Sequence, residues 1–329
     1  MDTPPQDPVN YELQRADLEG DYTAFLHTLT DVPESPSLQP INIDEAGITN
    51  QQTYIKLQDI EGKGLVMPVL CDIQIGATLD GHRGIHMSRC EEALLEISQE
   101  IHPSIDHFAV ALARAVRDKQ GSKGSLVKVN GLYLHGHRTH ATKRESQDKM
   151  YLLSDAKING DQEQVSTGVR AYNITACPCT RTYTKYSVVP ALVEKGFSLE
   201  QIRDILNITL TGTHTQRGTI SVIIDKTHND ITTGELYKIL DQSAHLVFEL
   251  LKRPDEHDLV VRALKRPQFT EDVAREAAVN VYKRFGQIVS ERTAVEVESI
   301  LNDSIHIHDV RTKISTSIGR LATALSSSL

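Results

Sequence analysis

Residues 64–79 read GLVMPVLCDIQIGATL, a run rich in β-branched and other apolar residues that partly alternates with polar ones. This pattern is typical of a strand with one buried face. Residues 53–60, TYIKLQDI, share the pattern, and the turn-like EGKG at 61–64 lies at the junction. The sequence therefore predicts an antiparallel hairpin here, from which the other elements extend outward.

Two helices are predicted after the hairpin. Ser88 precedes Glu91 by three residues, which is a capping-box pattern, and Pro103 ends this first helix. The second helix has one apolar face, formed by Ile105, Phe108, Ala109, Leu112 and Val116. The alternating LVKVNGLYLHG at 126–136 then predicts another strand.

The rest of the chain repeats this order of strands and helices. Its predicted strands are YLLSDAKING (151–160), VSTGVRAYNITA (165–176), TISVIIDK (219–226) and TAVEVESIL (293–301). Its predicted helices cover about 187–206, 234–252, 270–286 and the C-terminus. Two weakly similar strand-strand-helix-helix-strand halves predict an α+β chain with antiparallel sheets and paired helices on one face.

The predicted organisation has three parts. Residues 1–40 carry six of the 12 prolines and one short helix candidate, ADLEGDYTAFLHTL at 16–29, and are expected to form an N-terminal arm. Residues 41–160 form the first structural unit and residues 161–329 the second.

Composition limits the classes of partner. The formal net charge of −9 argues against a nucleic-acid partner. No apolar run approaches the ~20 residues of a membrane helix, and the polar start lacks a signal-peptide layout, so we expect a cytoplasmic protein without a membrane partner. The four cysteines, Cys71, Cys90, Cys177 and Cys179, are too few for a disulfide framework and are expected to be reduced.

Four residues at the joints between elements could together bind a metal. Cys177 offers a thiolate, His214 an imidazole and Glu256 a carboxylate, and a histidine at 306 or 308 completes a set suited to a divalent transition metal. They are far apart in sequence, so only the fold can bring them together. The competing interpretation is that Cys177 and Cys179 are buried as small apolar residues and that the histidines cap helices or fill polar loops.

Two further joints carry charged residues at predicted helix starts. His82, Arg83, His86 and Arg89 surround the start of the first helix, where free N–H groups favour a phosphate chain; the alternative is a solvated basic turn. Glu271 either compensates a helix dipole or accepts two N–H bonds from a purine edge. GSKGS at 121–125 lacks the Walker A spacing, which excludes a P-loop.

Five short motifs at these joints occur in a characteristic order. They are GIHMSR (84–89), ACPC (176–179), THTQRG (213–218), KR with DE (252–256) and FTED (269–272). In this order they resemble the GTP cyclohydrolase type IB family, and more closely its archaeal branch. The resemblance covers residues from about 40 to 310.

The resemblance implies a tunnelling fold. Two ββαα-type units per chain would assemble into a homodimer or homotetramer, with active sites between subunits. The stretch near 184–207 would be a helical insertion typical of the archaeal enzymes. One divalent metal ion per site is implied, with Fe(II) favoured and Zn or Mn possible. By position its ligands would be Cys177, His214, Glu256 and His306.

The resemblance also implies the reaction, which is hydrolytic opening of the guanine imidazole ring of GTP. A bound metal lowers the pKa of its water to ~7, and the hydroxide attacks C8. Formate is released and a 7,8-dihydroneopterin phosphate is made, as the cyclic 2′,3′-phosphate or the triphosphate. This is the first step of pterin, folate or methanopterin biosynthesis.

Each matching position then has an expected role. His214 or His308 would move protons to and from the ring nitrogens, because imidazoles exchange protons near neutral pH. Glu271 would anchor the guanine. The triphosphate would be held by His86, Arg89, Arg217 and Lys252.

Two rival functions stay open at the sequence level. One is a nitrile reductase-like enzyme on the same fold, which would use its cysteine as a covalent nucleophile; the additional His214, Glu256 and His306 favour a metal instead. The other is a non-enzymatic metal-binding or assembly protein.

Overall fold

The computed structural model describes residue 29 and residues 31–58, 66–249 and 252–327. The helix predicted at 16–29 falls, except for its last residue, outside the described residues. The described part of the arm contains a short 3-10 helix, Val32–Glu34, and a β-bridge between Pro36 and His82. Within the described ranges, no helix has both the length and the apolar character needed to cross a membrane.

The strands of the described chain form one sheet. They are β1 (Ile43–Gln58), β2 (Val66–Leu79), β3 (Ile101–His102), β4 (Gly124–Arg138), β5 (Glu145–Asn159), β6 (Gln162–Ala176), β7 (Thr215–Asp225), β8 (His245–Leu246), β9 (Ala294–Asn302) and β10 (Asp309–Ser317). The order across the sheet is β10-β9-β7-β6-β5-β4-β2-β1-β3, and β8 pairs with β6. All neighbours are antiparallel except β1 and β3.

Nine helices accompany the sheet in the described ranges. They are α1 (Met87–Ser98), α2 (Ile105–Gln120), α3 (Pro178–Tyr186), α4 (Val189–Glu194), α5 (Leu199–Ile208), α6 (Thr233–Ser243), α7 (Arg253–Lys265), α8 (Thr270–Phe285) and α9 (Ile318–Ser326). With the short strands β3 and β8 and the helices α3–α5 and α7 left aside, the order β1-β2-α1-α2-β4-β5 is followed by β6-β7-α6-α8-β9-β10. This doubled order confirms the tunnelling-fold, α+β prediction; the division at residues 160 and 161 stays a prediction.

One hydrophobic core lies between the helices and one face of the sheet. Phe108 of α2 and Phe285 of α8 are fully buried in it, together with Met150 of β5 and Ile220 of β7. Burial alternates along β5, as expected for a strand with one face turned to the core. The paired helices expected on one face are therefore present.

Two predicted helix boundaries are wrong, for local reasons. Helix α1 begins at Met87 with His86 as N-cap, rather than at a Ser88 capping box. The side chain of Gln120 bonds both the N–H and the carbonyl of His86, which fixes that residue in an extended conformation. The helix expected at 187–206 is broken into α4 and α5 by Gly196, with φ of +79°, and by a capping box at Ser198.

The second half contains elements that sequence patterns missed. The helix expected at 234–252 ends at Ser243, because β8 follows and pairs with Asn173 and Ile174 of β6. That part of β6 lies beyond its ladder with β5, so its backbone is open to a new partner. Helices α3 and α7 and strand β10 were not predicted; exposed and half-buried residues alternate along β10, which is defined by its ladder with β9.

The antiparallel ladders decide which joints share an end of the sheet. At one end, called here the Cys177 end, the β4–β5, β6–β7 and β9–β10 pairs meet at Arg138–Glu145, Ala176–Thr215 and Asn302–Asp309. At the other end, called the His86 end, β2 finishes at Leu79. The 14 residues of β2 span about 45 Å at ~3.3 Å per residue. The sheet therefore separates two groups of joints.

Gly218 of β7 supports a close strand contact. A Cβ at this position would lie 2.2 Å from the carbonyl oxygen of Ile300 and 2.5 Å from a methyl of Leu301. Gly218 is the register partner of Leu301 in the β7–β9 ladder, so any side chain would push these strands apart.

We therefore expect Gly218→Ala to lower the free energy of unfolding by about 1–3 kcal/mol, the usual cost of overpacking. The matched control is Gly212→Ala, since a Cβ there meets nothing within 4 Å. Denaturant unfolding of the two variants provides the measurement. Equal stability of both would contradict the close-contact explanation.

Candidate active site

Cys177 and His214 lie side by side because β6 and β7 pair up to their ends. Ala176 and Thr215 form the last register pair of this ladder. The N–H of Cys177 donates to the carbonyl of His214 at 3.1 Å, and the Thr213 hydroxyl donates to the carbonyl of Cys177 at 3.2 Å. The backbone thus brings together a thiol and an imidazole that are distant in sequence.

The Cys177 side chain has the surroundings of a ligand rather than of a core residue. It is the N-cap of α3, and its Sγ accepts the N–H of Thr180 at 3.4 Å. A helix N-terminus favours negative charge. Cys71 and Cys90, by contrast, are buried, and burial raises the pKa of the Cys71 thiol to about 12. The interpretation of Cys177 and Cys179 as buried residues is therefore wrong, because Cys177 is half-buried and Cys179 is exposed.

The loop between β9 and β10 brings two more side chains to this end. Oγ of Ser304 lies 3.2 Å from Nδ1 of His214. Oδ1 of Asp303 lies 3.3 Å from Nδ1 of His306. Metal-binding histidines commonly have one ring nitrogen held by such a partner while the other contacts the metal. In both rings, Nε2 is the nitrogen available for a ligand.

Asp303 also organises its own loop. Its Oδ1 accepts the N–H groups of Ile305, at 2.8 Å, and His306, at 3.3 Å. The hydrogen bond from Ile305 is the main cause that lowers the pKa of Asp303 below its usual value. The rings of His306 and His308 stack with centroids 5.1 Å apart, and both residues are exposed. The two histidines therefore lie together at the Cys177 end.

The start of α8 is tied to the same place. The N–H of Gln268 donates to the carbonyl of Ala176 at 3.2 Å, next to Cys177. The Thr270 hydroxyl donates to the carbonyl of Ser299 in β9 at 3.2 Å. Glu271 follows in the first turn of α8 and is exposed. Arg217, also exposed, pairs with Ile174 near the end of the β6–β7 ladder.

The start of α7 completes this end of the molecule. Lys252 is its N-cap, and Glu256 stands exposed in its first turn. Between them Asp255 is only 3% exposed and accepts the N–H and hydroxyl of Thr142, in the β4–β5 turn. Burial disfavours this charge, but the interactions with Thr142, Thr139 and Ala141 together outweigh burial, and the pKa of Asp255 is lowered.

The four expected ligands do not converge fully in a single chain. We looked for three or more metal-ligating side chains whose ligand atoms all lie within 4.8 Å of one another. Among the described residues, only Asp31, Glu34 and His86 form such a set. No three of Cys177, His214, Glu256 and His306 therefore meet that distance. Cys177 and His214 are adjacent through the backbone, whereas Glu256 belongs to a separate helix start.

Two of the four expected phosphate-binding residues lie at the opposite end. His86 and Arg89 belong to the start of α1, at the His86 end. Nε2 of His86 lies 3.6 Å from Asp31 and 3.5 Å from Glu34, and Arg89 bonds the same Glu34 oxygen at 3.0 Å. Because two basic side chains share these carboxylates, the group is a salt-bridge network. Its pairing with the N-terminal arm was not predicted.

Several supporting residues escaped the sequence analysis. Thr180 holds Cys177 and Ser304 holds His214 through one hydrogen bond each, and Thr142 holds Asp255 through two. Threonine and serine are common in loops, and these three have no distinctive spacing from the residues they contact. Asp255 belongs to the motif at residues 252–256, but no function was predicted for it. The one available signal was its position beside Glu256.

The comparisons with known proteins agree with the motif order. Residues 29–312 match the family model described as type I GTP cyclohydrolase folE2. A protein of Methanococcus vannielii named GTP cyclohydrolase MptA is 30% identical over 295 residues, covering 85% of this chain and 94% of that protein. The protein of the same name from Methanococcus aeolicus is 29% identical, covering 87% of this chain and 96% of that protein.

A search of solved structures gave weaker similarity. Uricase from Arthrobacter globiformis aligns over 83% of this chain and 93% of its own, with a TM-score of 0.47 and 7% identity. Similarity at this level supports no conclusion about function or assembly.

Proposed function

Because this chain belongs to the type I GTP cyclohydrolase family, we propose that it opens the guanine imidazole ring of GTP at a metal-dependent site at the Cys177 end of its sheet. The reaction releases formate and yields a 7,8-dihydroneopterin phosphate. This places the protein at the first step of pterin biosynthesis, including the folate and methanopterin branches. The archaeal relatives and the helices α3–α5 favour the cyclic 2′,3′-phosphate over the triphosphate as product.

One observation carries the proposal. Four of the five motifs that define the resemblance meet at one end of the sheet, although they are spread from residue 176 to residue 272. The contacts that join them are the Cys177–His214 and Gln268–Ala176 backbone bonds. The helix start that carries Lys252 and Glu256 is bound to the β4–β5 turn at the same end. This arrangement supports a shared site.

The donor set fits one divalent metal ion. Cys177, His214, Glu256 and His306 would hold it, with sulfur, nitrogen and oxygen donors suited to Fe(II), which we favour, or to Zn or Mn. Ser304 and Asp303 would orient the two imidazoles from behind. When bound there, such an ion activates water for attack on the purine ring.

The remaining residues bind and orient the substrate. Glu271 would accept the N–H groups of the guanine edge, since it stands exposed in the first turn of α8, three residues after Gln268, whose N–H contacts Ala176. His308 would donate a proton to a ring nitrogen as the C–N bond breaks, and His214 is the other candidate for this step. Arg217 and Lys252 would pair with phosphate oxygens.

His86 and Arg89 contribute from a second subunit. Within one chain they lie at the far end of a strand about 45 Å long, too far to reach a nucleotide at Cys177. We therefore place the site between subunits of a homodimer or homotetramer, with units 41–160 and 161–329 in each chain. The helical insertion near 184–207 falls within α3–α5, directly after Cys177.

We expect Cys177→Ala to lose bound metal and turnover together, since the thiolate is a ligand, while the fold is kept because half-buried Cys177 lies outside the core. The measurements are metal content, circular dichroism, and formate with a fluorescent oxidised pterin after incubation with GTP. Cys179→Ala, two residues away and exposed, is the matched control. A metal-free but active Cys177→Ala would exclude the proposed ligand set.

For Glu271→Gln we expect kcat/KM for GTP to fall about 10²-fold, because one charged hydrogen-bonding partner of the guanine is lost at about 1.5–3 kcal/mol. Metal content should stay at the wild-type level. Asp272→Asn, at the next position and bonded to the N–H of Phe269, controls for a change at the start of α8. Unchanged GTP kinetics in Glu271→Gln would exclude the guanine-anchor role.

Mixed oligomers test the contribution of a second subunit. Cys177→Ala and Arg89→Ala chains should each be inactive alone. After dissociation and random reassociation, about a quarter of the shared sites would combine an intact Cys177 with an intact Arg89, so activity should return to about that fraction. Verified mixed oligomers that stay inactive would place both residues in the same subunit's site, contrary to the proposal.

A further inference from the structure

A buried carboxylate lies directly beside the proposed metal ligand Glu256. Asp255 is 3% exposed, and its two oxygens accept the backbone N–H of Thr142 at 3.0 Å and the Thr142 hydroxyl at 2.7 Å. The two residues are 113 positions apart in sequence. Removing a charge from water is costly unless it is fully hydrogen-bonded, so this contact fixes the position of Asp255 firmly.

The turn that holds Asp255 is itself well ordered by hydrogen bonds. The N–H of Thr139 donates to the carbonyl of Arg144 at 2.8 Å, and the N–H of Lys143 donates to the carbonyl of Thr139 at 3.2 Å. The hydroxyls of Thr139 and Thr142 lie 3.0 Å apart, and Thr139 is fully buried. The turn therefore offers two donors at a fixed location.

Further contacts join the same hairpin to the segment that leads into α7. The Ser146 hydroxyl donates to the carbonyl of Glu249. The ring of His137 lies against that of Phe248, with centroids 4.3 Å apart. Nδ1 of His137 lies 2.7 Å from Oδ1 of Asp148. The other carboxylate oxygen of Asp148 accepts a hydrogen bond from the hydroxyl of Tyr237 in α6. The approach to α7 is thus held from the first half of the chain.

We propose that Asp255 is a positioning residue, and that the β4–β5 turn sets, through it, the place of Glu256 and Lys252 at the active site. The proposal rests on the metal-ligand role proposed for Glu256. Successive residues of a helix point about 100° apart. With Asp255 held inward by Thr142, Glu256 is directed outward in the same turn, as its exposure requires.

The physical consequence is preorganisation of a ligand. Glu256 stands in the first turn of α7, where the chain has few intrahelical bonds to hold it. Without the Thr142 contact, this turn would sample other positions, and metal binding would have to order it. Residues that support a metal ligand from behind typically contribute 10–100-fold to metal affinity.

The test compares Zn²⁺ affinity, measured by competition with a chelator, in the full-length protein and its variants. Asp255→Asn should weaken Zn²⁺ binding by about 10–100-fold, because an amide cannot accept both Thr142 donors. Thr142→Val should weaken it several-fold, and Thr142→Ser, which keeps both donors, should restore wild-type affinity. At saturating metal, turnover of these variants should recover.

Two controls separate this inference from its premise. Asp258→Asn removes another carboxylate of α7, one that pairs with Arg262 on the same helix, and should leave Zn²⁺ affinity unchanged. Glu256→Gln must lower Zn²⁺ affinity if the proposed ligand set is right. If it does, but Asp255→Asn and Thr142→Val bind Zn²⁺ as the wild type does, the positioning role is wrong while the proposed function stands.

A structural role alone would give a different result. Asp255→Asn would then lower the melting temperature without changing the Zn²⁺ affinity of the folded protein, which would overturn the proposal. If Asp255→Asn does not fold, Thr142→Val and Thr142→Ser decide the question, since both keep the Asp255 carboxylate. Wild-type affinity in Thr142→Val would then count against the proposal.

Discussion

The backbone ladder between β6 and β7 is the interaction on which the candidate site depends. It runs from Ser166–Asp225 to Ala176–Thr215 and is extended by the hydrogen bond from Cys177 to His214. The three helices α3–α5 lie between the two strands in sequence. The ladder continues to the ends of both strands. Cys177 and His214 therefore stay adjacent although three helices are inserted between them in the sequence.

Other elements are attached to this ladder by individual hydrogen bonds. Gln268 links the start of α8 to Ala176, and Ser304 links the β9–β10 loop to His214. The contact between Thr142 and Asp255 adds the first half of the chain to a region otherwise built from the second half. One continuous core beneath the sheet keeps these loops in a common frame. Local loop structure and global packing thus act together at the Cys177 end.

Sequence patterns predicted the elements whose apolar periodicity is strong. The pairing of β1 with β2, the buried face of α2 and the strands β4 to β7 follow from alternation or helical spacing alone, although β1 begins at Ile43, ten residues before the predicted strand. The patterns failed where a contact made elsewhere in the chain decides the conformation. Gln120 sets the start of α1. The helix predicted over 234–252 ends early because residues 245 and 246 pair with the open edge of β6 and form β8. Strand β10 is held by its ladder with β9, and none of its residues is fully buried.

The same division holds for the site. The sequence by itself determined the kinds of chemical group available, namely a thiol, imidazoles and a carboxylate at the joints between elements and a second carboxylate, Glu271, at a predicted helix start, because residue type and local spacing are properties of the chain. Only the tertiary structure decided that Cys177, His214 and the loop of His306 share one end of the sheet while His86 and Arg89 lie at the other. Strand register and direction fix those positions. They arise from hydrogen bonds between residues far apart in sequence, which no local pattern encodes.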